Sequence, residues 1–176
     1  MLTKNFYVGF CSNCTKTNVS NGLTSTTGGT KNCYFNSNNH DYVFEYMSLK
    51  SGSVSTLLVS TSKSTLGMAF GTGNTPTTPN DYWLSGEQII TISILAQKNN
   101  VIVSDEKCSY TMALTVLNTG TDTITIREIA YVGSFYTASG SADKFIYDRS
   151  VLDTPITLAP NEQGVVTYTL EFPIAY

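Results

Sequence analysis

The chain has 176 residues, enough for one domain or one domain with a smaller appended segment. Hydrophobic residues make up 41%, which allows a real core, whereas charged residues make up only 13%, so Thr, Ser and Asn carry the polar surface. A net charge of −3, with no cluster among the ten basic residues, argues against a nucleic-acid partner. No apolar run reaches the eighteen or so residues of a membrane helix, so no membrane partner is expected.

The first segment, Phe6-Tyr-Val-Gly-Phe10, reads as a short strand. It is not a secretory h-region, which leads us to expect synthesis in a cytoplasm without a signal peptide. Residues 12–32 have almost nothing to bury and read as a long polar loop or loose arm. The expected organisation is therefore an N-terminal piece, 1–41, with a strand and a polar loop or arm, followed by a β-sandwich over 42–176.

Strand pattern resumes at 42–49, with Val43, Phe44, Tyr46, Met47 and Leu49, and continues at 54–60 and 66–70. Residues 71–84 contain two glycines and two prolines and are expected to form a structured loop. From 88 to 97 the chain alternates, with Ile90, Ile92, Ile94 and Ala96 on one face. Asn99-Asn100 then reads as a hairpin turn before a short return strand at 101–104.

In the next strand Tyr110, Met112, Leu114 and Val116 share a buried face, and Asn118-Thr-Gly120 reads as a hairpin turn. Over 123–132, Ile124 and Ile126 share one parity whereas Ile129 and Tyr131 share the other. That change predicts a bulge near Arg127-Glu128, or a strand buried on both faces. Residues 144–148 read as a brief strand. A turn at Pro160-Asn161-Glu162 launches the last strand, where Val166, Tyr168, Leu170 and Phe172 oppose Val165, Thr167, Thr169 and Glu171.

No stretch of ten residues shows a helical period. The expected fold is all-β, an antiparallel β-sandwich of roughly eight to ten strands, Ig-like with a jelly roll as the alternative.

Few residues suggest chemistry. Cys11 and Cys14 have the C-x-x-C spacing of a zinc half-site or a redox motif, and Cys33 with His40 could complete four ligands on paper. The second C-x-x-C is absent and no βαβ unit follows, so free thiols or a local disulfide are the expectation, with no metal and no cofactor. A lone histidine supports neither a serine triad nor a Cys–His nucleophile. The aspartates, including Asp81 and Asp148, are scattered singly, as turn residues are. No catalytic residue and no enzymatic activity are expected. Tyr82-Trp83 is the candidate binding pair, either an exposed aromatic anchor or a plug beneath the proline loop.

Three blocks resemble a known family. Residues 71–84, Gly-Thr-Gly-Asn-Thr-Pro-Thr-Thr-Pro-Asn-Asp-Tyr-Trp-Leu, are similar to a "GTGTTPPTPDDYxL" block of tailed-bacteriophage virion structural proteins. Asp148-Arg-Ser-Val-Leu-Asp-Thr-Pro-Ile156 with Leu158-Ala-Pro-Asn-Glu162 resembles the "RxVLDTPVTLAPGE" block of the same proteins. Between them, Asn118-Thr-Gly and Ile124-Thr-Ile-Arg-Glu-Ile129 resemble their "NTG…ITIxEIG" segment. The resemblance spans about residues 57 to 173, leaving three of the four cysteines outside it. Asn161 and Ala130 stand where the family often has Gly; Asn suits the turn because it enters the left-handed region.

The resemblance implies a non-enzymatic virion component (head decoration, collar, tail or fibre), made in the host cytoplasm. It would dock on capsid, neck or tail proteins and form homo-oligomers in the particle. A second expectation is a receptor- or carbohydrate-binding module on the virion, with Tyr82 and Trp83 meeting a host glycan. A small glycan-degrading enzyme is disfavoured for want of a carboxylate pair.

Overall fold

The computed structural model of the protein describes residues 3, 19–33, 59–63, 65, 67–104, 107–136 and 142–173. Nine strands and no helix occur among them. They are β1 (Val19–Thr24), β2 (Thr30–Cys33), β3 (Gly67–Gly71), β4 (Gln88–Ile89), β5 (Ile92–Val103), β6 (Lys107–Asn118), β7 (Ile124–Tyr136), β8 (Ala142–Leu158) and β9 (Gln163–Pro173). Their order is β4-β3-β7-β8 in one sheet and β5-β6-β9 in another, with β1-β2 as a separate hairpin. All these pairings are antiparallel.

The two larger sheets face one another across a single core. Met68, Phe70, Ile129, Tyr131, Phe145 and Tyr147 come from the first sheet, and Met112, Leu114, Val116, Val166 and Tyr168 from the second. The fold is therefore a β-sandwich, as its alternating strands predict. Each such side chain, removed from water, contributes about 1.5–3 kcal/mol. Tyr147 fits because Gly133 opposite has no side chain; a Cβ there would overlap its ring. Tyr131 meets Tyr147 edge to face, with centroids 5.4 Å apart.

The parity change in β7 has both of its predicted causes. The register shifts between Ile126 and Glu128, and residues 152–155 of β8 bulge out opposite Arg127. Beyond the bulge β7 is buried on both faces: Ile129 and Tyr131 enter the sandwich, while Ala130 and Val132 join Ala69, Leu84 and Ile146 in a second apolar cluster outside it. A second shift, between Tyr131 and Val132, turns Tyr147 and Asp148 of β8 both inward.

Several boundaries differ from expectation. Asn99-Asn100 is not a turn: both residues pair within β5, opposite Met112 and Thr111. The long β6 ladder carries the strand past this polar pair, and the reversal falls at Ser104–Lys107, where Ser104 N donates to Lys107 O and Lys107 N to Ser104 Oγ. The single strand expected over 88–97 is two, because the chain changes sheets between Ile89 and Ile92. Ile90, at that corner, is 59% exposed rather than core.

Asn118-Thr-Gly120 is not a hairpin turn but an arch from β6 in one sheet to β7 in the other. The same Asx-turn chemistry serves either connection: Gly120 N donates to Asn118 Oδ1. The brief strand at 144–148 extends to seventeen residues, and Pro155 is tolerated inside it because it lies in the unpaired bulge.

Within the expected polar loop or arm, residues 19–33 form the β1-β2 hairpin, whose turn bonds to the sandwich: Thr26 N donates to Lys144 O and Thr26 Oγ1 to Lys63 O. The expected strands at 6–10 and 42–49, and the division at 41/42, lie outside the described residues.

Candidate functional site

The most highly connected polar site lies on the outer face of the β4-β3-β7-β8 sheet, beneath residues 72–87. Past the register shift β7 points Glu128 outward on the same face as Ala130, and β8 points Arg149 outward beside it. Arg149 Nε donates to Glu128 Oε2 at 2.7 Å, with the two side chains 2% and 0% exposed. A second guanidinium nitrogen donates to Asp81 Oδ2 at 2.8 Å, and the third to Thr75 O and Ser85 Oγ.

Glu128 also ties down both ends of the loop. Its Oε1 accepts from Gly73 N and Gly86 N, and its Oε2 accepts from Ser85 N and Ser85 Oγ. Gly73 and Gly86 lie back to back, and a Cβ on either would strike the other's backbone or the carboxylate. Absence of side chains is what lets two N–H groups converge on one oxygen. Asp81 orders the distal turn by accepting from Thr78 N and Thr78 Oγ1.

Burial by itself would raise the Glu128 carboxyl; the Ser85 and Gly86 N–H groups and the Arg149 guanidinium outweigh it, holding it below its ordinary value of 4.5. Asp81 is depressed likewise: burial opposes, while Thr78 and Arg149 prevail. Arg149 is pushed upward, its own burial offset by the two carboxylates. Every hydrogen-bonding atom of this triad is engaged within the chain. Chemically the arrangement is a clamp, and it offers no open acid, base or nucleophile.

Asp81 is a turn residue, as its sequence setting predicts, but its ion pair with Arg149 has no local signal. The three blocks that carry the family resemblance supply one triad member each: Asp81, Glu128 and Arg149. A glutamate on the parity break of an otherwise apolar strand was the available signal.

A second knot lies at the arch. Asn118, fully buried, donates from Nδ2 to Asp122 O and Leu158 O, while its backbone bonds to Glu162 O and Asn161 N. It thereby joins the Asn118-Thr-Gly block to the Leu158–Glu162 turn, where Asn161 has φ +60°. In the sandwich interior, Tyr168 Oη donates to buried Asp148 at 2.6 Å. Burial, with the Asp148 charge beside it, pushes the Tyr168 hydroxyl well above its ordinary range.

The two candidate aromatics part company. Trp83 is half-buried against the outer cluster of Leu84, Ala130 and Ile146, with Lys63 Nζ 5.9 Å from its ring centroid. Tyr82 is 44% exposed, its ring lying beside Gly28 of the β1-β2 turn. Of the four candidate zinc ligands, Cys11, Cys14 and His40 lie outside the described residues, and Cys33 ends β2. Among the described residues no three His, Cys, Asp or Glu side chains gather into a metal-binding group, and Cys108 is a half-buried free thiol.

No protein-family model matches the chain, nor does any curated protein or solved structure.

Proposed function

We propose that this chain is a non-enzymatic structural component of a tailed-bacteriophage virion, made in the host cytoplasm and docking on capsid, neck or tail proteins. One observation carries the reading. The blocks that resemble phage virion proteins meet in space, and their charged side chains, Asp81, Glu128 and Arg149, are used to fasten a loop to a sheet. What the resemblance preserves is thus a rigid scaffold, the requirement of a part that must keep its shape in a repeated assembly. Labelling purified particles with an antibody against the chain, and imaging them, tests it. Labelled heads, necks or tails are expected; a chain found only as free protein, absent from particles, overturns it.

The receptor- or glycan-binding reading is favoured by a separate observation, the exposed ring of Tyr82 on a loop anchored at both ends. Tyr82→Ala is the test substitution, because Trp83 packs against apolar neighbours and its loss would confound folding with binding. Loss of binding to host-surface glycans by Tyr82→Ala particles that still assemble would establish this role; unchanged binding would remove it.

A further inference from the structure

Three turns held by hydrogen bonds meet beside the outer cluster of the β4-β3-β7-β8 sheet. In the β1-β2 turn Ser25 N donates to Gly29 O and Gly28 N to Ser25 O. In the turn before β3, Thr61 N and Ser62 N donate to Thr65 Oγ1, and Ser60 Oγ donates to Thr65 O. The third, residues 78–81, is tied to Arg149 through Asp81. Contacts link all three. Thr26 Oγ1 donates to Lys63 O, Lys63 Nζ stands 5.9 Å from the Trp83 ring centroid, and the Tyr82 ring lies beside Gly28.

Two side chains at this junction face water, and they differ in kind. Tyr82, 44% exposed, offers an aromatic ring; Lys63, also exposed, offers a cation. Lys63 pairs with no carboxylate among the described residues. Its neighbour is the Trp83 ring, whose π face steers an ammonium without neutralising it. Asp81, next to Tyr82 in the chain, is already engaged by Arg149 and Thr78.

We propose that this junction binds a sugar bearing one carboxylate, with the sugar ring against Tyr82 and the carboxylate at Lys63. This deepens the glycan-binding reading of Tyr82 and rests on it. An exposed Tyr on an anchored loop offers a large contact at low entropic cost, and the turns hold the cation beside it in advance. A single lysine on a chain of net charge −3 suits one anionic group, whereas a polyanion needs several cations. The ion pair is open to water, so it contributes about fivefold in affinity and is screened by salt.

Titration of the purified chain with matched oligosaccharides tests this: 3′-sialyllactose against lactose, and cellobiouronic acid against cellobiose. The acidic member is expected to bind about fivefold tighter at low salt, and the preference to vanish near about 0.5 M NaCl. Lys63→Gln removes the preference and leaves the neutral sugar's affinity unchanged, whereas Lys63→Arg keeps both. Lys98→Gln, the same change of charge on the other sheet, also keeps the preference. Tyr82→Ala loses both members of a pair. Equal affinity for acidic and neutral members, or a preference that survives Lys63→Gln, overturns the inference and leaves the glycan-binding reading standing. So does an absence of binding by all four sugars up to about 10 mM. Should Tyr82→Ala bind both members as the parent chain does, the glycan-binding reading itself fails, and the carboxylate site with it.

Discussion

Arg149 and Glu128 form an ion pair of 2.7 Å on the outer face of a sheet, yet both side chains are closed to solvent. Their neighbours explain how an outward-facing pair can be interior. The 72–87 segment lies over them and donates three backbone N–H groups to the carboxylate, so the loop is held by the pair as much as the pair is covered by the loop.

Glu128→Gln keeps the shape and removes the charge. Arg149 retains Asp81, but one buried donor then faces an amide that cannot neutralise it, and the amide NH₂ meets N–H groups aimed at an acceptor. Removing one partner of a buried pair costs about 3–5 kcal/mol. Urea unfolding is expected to show a loss of that size, and a change under about 1 kcal/mol would mean that the loop does not depend on this carboxylate.

The same carboxylates make stability acid-sensitive. Glu128 and Asp81 are depressed in the fold and return to their ordinary values, 4.5 and 3.8, when the chain unfolds. As pH falls, the unfolded chain takes up protons first, so the contribution is complete above the ordinary carboxylate range and is lost as pH drops through the lower, folded values. The urea midpoint should hold between about pH 7 and about pH 5 and fall below about pH 4. Glu128→Gln should flatten that fall, and an equally steep fall in the variant would assign acid sensitivity elsewhere.

The strands were legible in the sequence because period-two alternation is a local signal: Val166, Tyr168 and Val165 behave as their parity requires. Even the bulge at Glu128 was visible, as a break in that parity. Connections were less legible. Asn118-Thr-Gly has the same turn chemistry whether it returns to its own sheet or crosses to the other, and the choice depends on Leu158, forty residues away. Asn99-Asn100 failed for a related reason, since local turn preference yields to a ladder formed along all of β6. The clamp was the least legible feature. Asp81, Glu128 and Arg149 stand far apart in sequence and each has an ordinary local reading, so only tertiary pairing shows their common role.

Asn161, at φ +60°, occupies the left-handed region in the Ala159–Glu162 turn, where Glu162 N donates to Ala159 O. A residue with a Cβ carries a penalty of about 1–2 kcal/mol there, which Asn reduces and Gly avoids. Asn161→Gly should leave the melting temperature unchanged or slightly raised, and Asn161→Val should lower it clearly. Equal melting of the two variants would show that this turn relaxes out of the left-handed conformation.

Adjacent aromatics should give opposite results on truncation. Trp83 covers the apolar cluster outside the sheet and lies near Lys63 Nζ, so Trp83→Ala uncovers Leu84 and Ile146 as well as losing its own contacts. Fully buried Trp→Ala changes cost about 3–5 kcal/mol; a half-buried ring should cost about half that. Tyr82 is 44% exposed, and its truncation should cost no more than about 0.5 kcal/mol, the range of ordinary surface substitutions. Paired urea titrations of the two alanine variants measure the difference directly. If Tyr82→Ala destabilised as much as Trp83→Ala, the Tyr82 ring would be a fixture of the fold through its contact with the Gly28 turn, and a binding role for it would lose its structural support.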